Sequence, residues 1–197
     1  MKKLMTITLG ILALTTAWYK PVLQAQNPPG GGLEEIGSVV SVRGEVVALG
    51  TGGAKRDLAF KSPIYRMDTI KTGERGRVQL TFKDNSVVSL GRQTEMTIEQ
   101  YEYNPAQNQG AMVTNVKEGI FRVMGGAITK IAPGNFKTET PTATIGIRGS
   151  FYAGRLVQLK LEVVFLGGRG ITVSNKAGFG GLHQCLAVAG TGRRKPG

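Results

Sequence analysis

At 197 residues the chain is long enough for one domain with a real core and hardly for two. Its single cysteine, Cys185, excludes an internal disulfide, so the core alone must hold the fold. The formal charge of +12 points to acidic partners such as nucleic acid, anionic lipid or an anionic polymer, or else serves only solubility.

Met1, Lys2 and Lys3 make a basic start, and Leu4 to Trp18 is an apolar run without charge. Leu23-Gln24-Ala25 supplies a cleavage signal with a small residue at the cut, so residues 1–25 read as a secretory signal peptide. The run is shorter than the roughly 20 residues of a comfortable membrane span, which leaves an uncleaved anchor as the alternative. No cysteine follows it, which argues against a lipoprotein. Cleavage after Ala25 would remove Lys2, Lys3 and Lys20 and no acid, lowering the formal charge to about +9. No later stretch is long and apolar enough to cross a membrane. The expectation is an exported protein, periplasmic or secreted.

Residues 26–35 read as a linker, because Pro28, Pro29 and Gly30 to Gly32 forbid regular structure. From Ile36 the chain shows short alternating runs. Gly37 to Ala48 carries two, broken at Gly44, and Gly50 to Gly53 is a turn. Pro63 makes the run Leu58 to Tyr65 an edge strand or a strand start. Asp68 to Gly73 reads as a turn segment leading to a hairpin. There Val78, Leu80 and Phe82 face one way. A two-residue turn would set Leu80 opposite Ser89. A three-residue loop Lys83-Asp84-Asn85 instead pairs Leu80 with Val88 and Val78 with Leu90. That loop needs a left-handed third residue, which Asn tolerates better than any residue but Gly.

Thr94 to Tyr103 alternates with a slip near Gln100 that suggests a bulge. Asn104 to Gly110 is a polar loop, Val113 to Val123 holds a turn into a strand, and Ala127 to Ile131 is one more turn or short strand. Thr140 to Tyr152 has a rigid Pro entry, a short strand with Ala143, Ile145 and Ile147 on one face, then an Arg148-Gly149 break. Leu156 to Phe165 alternates throughout, with Val157, Leu159, Leu161, Val163 and Phe165 on one face, and reads as one strand, turned at Gly167-Gly168 and returned by Ile171 to Asn175. No window has useful helical periodicity. The fold class is therefore all-β: a single antiparallel domain over residues 36–177, with about a dozen short strands in a sandwich or roll of jelly-roll type. Residues 178–197 lose the alternation and form an irregular basic tail.

The chemistry on offer is sparse. His183 is the one histidine and lies in the tail beside Cys185, with no third ligand near, so neither a metal site nor a histidine-based nucleophile is expected. Asp57, Asp68 and Asp84 each read as turn residues. Glu95, Glu99, Glu102, Glu118 and Glu139 could supply a carboxylate pair, but nothing in their spacing favours glycoside hydrolysis. There is no P-loop, dinucleotide fingerprint or zinc-protease motif. The basic residues are dispersed, unlike a nucleic-acid binder. No catalysis and no cofactor are expected. The candidate binding residues are Arg148, at the end of the central strand, and Ser150 beside it; a strand-end Arg that pairs with a carboxylate or caps carbonyls is the structural alternative.

Several segments together resemble the FecR domain, a β-rich extracytoplasmic module. They are Gly37-Ser-Val, Gly44-Glu-Val, Asp68-Thr-Ile-Lys-Thr-Gly73, Leu80-Thr-Phe-Lys-Asp-Asn-Ser-Val-Val-Ser-Leu90, Lys117-Glu-Gly-Ile-Phe-Arg122 and Thr140-Pro-Thr-Ala-Thr-Ile-Gly-Ile-Arg-Gly-Ser-Phe151. The last is the most specific, and the resemblance spans about residues 36 to 175. Asn85 stands where the family has Gly and suits the same left-handed loop position. Ser150 replaces Thr and keeps the hydroxyl. The family's aromatic after this signature falls on Tyr152, with Phe151 able to fill the same core slot. The resemblance implies a module for protein–protein contact or envelope binding. The family's namesake regulators also carry a cytoplasmic segment that handles a sigma factor. Here only a leader precedes the domain, so that role is not carried over. The expected function is thus a non-catalytic exported module that binds a protein partner or an envelope component, in signalling for instance. The alternative is a structural or adhesive surface protein that holds anionic envelope polymer by charge. No nucleic-acid partner is expected.

Overall fold

The computed structural model describes residues 34–175 and the backbone of 186–188. The predicted signal peptide, most of the linker, His183 and Cys185 lie outside the described residues. In chain order the strands are β1 (Glu35–Arg43), β2 (Val46–Leu49), β3 (Lys55–Asp57), β4 (Pro63–Tyr65) and β5 (Thr69–Thr72). Next come β6 (Arg77–Phe82), β7 (Val87–Leu90), β8 (Glu95–Asn104), β9 (Gln109–Met124) and β10 (Phe136–Glu139). The series ends with β11 (Ala143–Ile147), β12 (Ser150–Val157), β13 (Lys160–Gly168), β14 (Ile171–Asn175) and β15 (Leu186–Val188). One helical turn, α1 (Ile128–Ile131), follows β9. The predicted all-β class holds, and almost every pairing is antiparallel.

The strands form two sheets that share β9. The first runs β4-β1-β6-β7-β9-β12-β13-β15, using the second part of β9. The second runs β3-β2-β5-β8-β9-β10-β11-β14, using the first part. Period-two alternation turns one face of each strand inward. Val39, Leu80, Val88 and Phe121 of the first sheet and Ala48, Ile70, Met112 and Ile145 of the second belong to one hydrophobic cluster. Their burial supplies the main driving force for the fold, at about 25 cal/mol per Å² of apolar surface.

Sheet switches recur at polar corners. Gly119, where β9 passes between sheets, has φ +108, and a Cβ there would strike Thr94. Only glycine fits such a position without strain. Buried hydroxyls bridge the diverging backbones. Thr94 Oγ1 donates to the Ile120 carbonyl (3.1 Å) and accepts from the Ile120 amide (3.0 Å). Thr72 Oγ1 donates to the Gly91 carbonyl (2.6 Å) and accepts from the Thr94 amide (2.9 Å). Each hydroxyl stands in for a pair of ladder bonds where two strands part, giving buried backbone groups there a partner.

The β6–β7 hairpin has the predicted register: Leu80 opposite Val88, Val78 opposite Leu90, with Asn85 left-handed at φ 63. Asp84 is wholly buried behind it. Its carboxylate accepts from the Ser86 amide (3.1 Å), the Ser86 hydroxyl (2.6 Å), the Tyr101 hydroxyl (3.2 Å) and the Ile128 amide (3.3 Å). Burial, and then the neighbouring Asp84 charge, push the Tyr101 phenol well above its ordinary range.

Several expectations are corrected. Asp68 to Gly73 contains strand β5, which pairs with β2 and β8. The expected turn near Gly119 is a switch within one continuous strand. Ala127 to Ile131 is helical, because Ala127 and Ile128 anchor their amides to the Asp84 carbonyl and carboxylate. Leu156 to Phe165 is two strands joined at Gln158-Leu159, both left-handed at φ 49 and 64. Leu161 and Val163 therefore face the core while Val157 and Leu159 are exposed. The expected return of Ile171 to Asn175 is likewise corrected: β14 does not pair with β13 but crosses to β11. Within the predicted tail, β15 pairs in parallel with β13.

Candidate binding faces

The stretch Thr140 to Tyr152 crosses from the second sheet to the first between β11 and β12, and β13 to β14 crosses back beside it. Ser150 joins the two crossings. Its hydroxyl donates to the Gly170 carbonyl (2.8 Å) and accepts from the Gly170 amide (2.7 Å), the same device as at Thr72 and Thr94. Ser150 is 4% exposed, so its hydroxyl serves the fold. Tyr152 fills the core slot, fully buried edge-on to Phe121 with ring centroids 6.1 Å apart. Phe151 points to the outer face. Burial pushes the Tyr152 phenol well above its ordinary range.

Arg148 donates its backbone amide to the Gly170 carbonyl (3.1 Å) while its side chain is exposed, without a carboxylate partner among the described residues. It borders an open groove of about 280 Å³ with Lys137, Thr144, Thr172 and Ser174 on the outer face of the second sheet. Arg148 and Ser150, adjacent in sequence, therefore do not share a surface.

A second groove, of about 430 Å³, lies on the outer face of the first sheet. Its position follows from strand register. Ser41, Gln79, Ser89, Arg122 and Ala153 stand in one row across β1, β6, β7, β9 and β12. Arg43 lies directly opposite Arg77 in the next row. Small residues (Ser41, Ser89, Gly91 and Ala153) line the groove alongside Arg43, Arg77 and Arg122. None of the three arginines has an ion pair among the described residues, and no carboxylate lines the groove. Arg122 stacks its guanidinium over Phe151, 5.5 Å from the ring centre.

The same face carries exposed apolar side chains: Val40, Ile120, Met124, Val157, Val164 and Leu166. Among the described residues the other large exposed hydrophobics are Phe60, Met67 and Leu159, all in turns; the strands of the second sheet contribute none. The second sheet's outer face is polar. On it Glu95 binds Lys71 and Lys117, each at 2.8 Å. Burial alone would raise the Glu95 carboxyl, but the two ammonium groups outweigh it and hold the pKa below the ordinary 4.5. Glu118 stands opposite Glu95 in the ladder. Among the described residues no group of His, Cys, Asp and Glu has metal-binding geometry, and no helix is long and apolar enough to cross a membrane.

Residues 68–169, just over half of the chain, match the family model described as FecR protein. The chain belongs to the FecR family. The FecR match thus takes in the buried Asp84 hairpin, the β9 switch, the Ser150 crossing and Arg77 and Arg122, while Arg43 lies before it. A solved structure described as a cell surface anchoring domain is 29% identical over 32% of this FecR chain and 82% of that one, with a TM-score of 0.31. No curated protein matches the sequence.

Sequence reasoning had Arg148 and Ser150 as its candidates and missed the arginine face. Arg77 and Gln79 alternate outward from Val78 and Leu80, which was the available signal. Their convergence with Arg43 and Arg122 depends on pairings between strands distant in the chain.

Proposed function

We propose that this FecR-family chain is a non-catalytic module acting outside the cytoplasm, where it docks a protein partner or a component of the cell envelope. The observation that carries this reading is the outer face of the first sheet, where three unpaired arginines adjoin a patch of exposed apolar side chains. An open face of this kind suits docking of a large partner, whereas small substrates are held in enclosed pockets with convergent polar groups. The Glu95 carboxylate, ionised between two lysines, is in the wrong protonation state for a general acid at neutral pH. The formal charge of +12 favours a second reading, adhesion to an anionic envelope polymer.

A photocrosslinking residue at Ser89 in the groove, with Thr144 on the other sheet as control, separates these readings in cells of the native host. A discrete protein adduct from Ser89 that persists in moderate salt supports specific docking. Attachment to polymer alone, lost in moderate salt, supports charge adhesion, because salt screens exposed charges beyond about 8 Å at physiological ionic strength. Equal, diffuse adducts from both positions would refute a dedicated face.

A further inference from the structure

We infer that the outer face of the first sheet recognises an acidic, extended segment of another protein, one whose carboxylates alternate with apolar side chains. This deepens the docking reading and rests on it. The argument begins with an arrangement that folding alone disfavours. Arg43 and Arg77 face each other across a β-ladder, about 5 Å apart at Cβ, and like charges so placed repel. With no carboxylate in the groove, an anion from outside is the complement that relieves them. Arginine presents a planar fork that grips carboxylates in bidentate fashion, which a lysine does not.

The spacing selects an extended peptide. From Arg77 on β6 to Arg122 on β9 is two strands across and one pleat repeat along, about 12 Å at the usual strand and residue spacings. Side chains four residues apart on one face of an extended chain are separated by about 13 Å. One carboxylate on the Arg43–Arg77 pair therefore puts the next but one same-face side chain on Arg122. The position between them falls on β7 between Ser89 and Gly91, with Ile120 on the adjoining strand, and the position after Arg122 falls toward Met124 and Phe151. An anionic polymer has no use for those apolar neighbours. Arg, Met and aromatic side chains together are instead what protein interfaces favour over Lys and Glu.

The probe is a blocked heptapeptide, Glu-Ser-Val-Ser-Glu-Ser-Phe, titrated at physiological salt into the isotopically labelled full chain and followed by amide chemical shifts. Comparison probes are an all-glutamate heptapeptide and inorganic polyphosphate. The expected result is saturable binding with shifts centred on Gln79, Ser89, Arg122 and Ala153. Affinity should exceed that of the all-glutamate peptide by about tenfold, and R43Q/R77Q/R122Q should weaken it by about thirtyfold or more. M124S should weaken the heptapeptide severalfold and leave polyphosphate unchanged. All four substituted residues are exposed, so an unchanged thermal midpoint or spectrum identifies folded variants. Tighter binding of polyphosphate, shifts on another face, or full affinity in the triple arginine variant would each overturn the inference. A partner crosslinked in cells from a different surface would overturn it too, yet leave the docking function standing.

Discussion

Asp84→Asn tests the buried hairpin keystone with almost no change in shape. The carboxylate accepts four hydrogen bonds and donates none; its partners are two backbone amides and two hydroxyls. Asparagine replaces one oxygen with a donor. Placed toward Ile128, that donor orphans the Ile128 amide and competes with Gly126 for the Ser86 hydroxyl, which already accepts the Gly126 amide at 2.9 Å. Placed the other way, it orphans the Ser86 amide. Either orientation leaves one buried amide unpaired, at about 1–3 kcal/mol, and weakens the charge-assisted Ser86 bond by about 1 kcal/mol. The expected loss is about 2–4 kcal/mol, a large share of the 5–15 kcal/mol typical of a domain. Urea unfolding followed by near-ultraviolet absorption reads it as a fall of about 1–2 M in midpoint with an unchanged slope. The counter-effect is relief of desolvation, since Asp84 makes no ion pair among the described residues and buried charges are costly. A loss under about 1 kcal/mol would mean that desolvation nearly cancels the four donors, and the keystone argument would fail.

Ser150→Ala removes the hydroxyl that joins the two sheet crossings and should lower stability by about 1–3 kcal/mol, whereas Ser150→Thr should retain it; calorimetric midpoints of both decide the matter. Replacing Gln158 and Leu159 by Asn-Gly supplies residues suited to two consecutive left-handed positions and should raise stability by about 1–2 kcal/mol; an unchanged or lower midpoint would contradict that turn geometry. Because the folded Glu95 carboxyl titrates below its ordinary value, its ion pairs stabilise the protein above pH near 4.5 and are lost as the pH falls through the folded value. The midpoint difference between wild type and Glu95→Gln should therefore be steady at neutral pH and close on acidification, and a difference that widens in acid would refute it. Arg77→Thr removes the repulsion with Arg43 and should stabilise by about 0.2–1 kcal/mol in low salt while weakening binding of the acidic heptapeptide.

The core was legible because alternation is a local signal. Val78, Leu80, Phe82, Ala143, Ile145 and Ile147 announced their faces, and counting across the Asp84 hairpin gave its register. Asn85 carried the one conformational cue the loop needed. The misread segments lack such cues. Gln158 and Leu159 hold two left-handed positions without Gly or Asn, so the alternation of Leu156 to Phe165 ran on through a turn it does not survive. At Gly119 the cue had the opposite effect: a glycine that reads as a turn is a bend inside a strand, fixed by Thr94 from another part of the chain. Tyr152 and Phe151 were equivalent by composition; the cross-strand space under Gly154, against which the Phe121 ring packs, sets the register that turns Tyr152 inward. Ser150 and Thr94 are likewise explained only by the crossings they bridge.

The arginine face lies beyond that local grammar. Residues that fill the core agree at every level, from periodicity to packing, and those at the corners satisfy backbone groups that the sheet switch leaves open. Arg43 and Arg77 do neither. They oppose like charge to like across a ladder, with small side chains around them and apolar groups left in water nearby. On the second sheet, by contrast, Glu95 is matched by two lysines and no strand exposes a large hydrophobic side chain. The like-charged pair Glu95 and Glu118 of the second sheet thus has two lysines beside it, whereas Arg43 and Arg77 of the first have no carboxylate in their groove. A like-charged pair left without counter-ions beside exposed apolar side chains is where natural sequences give up stability for binding, and it favours the first sheet for the proposed docking ahead of the signature arginine at 148.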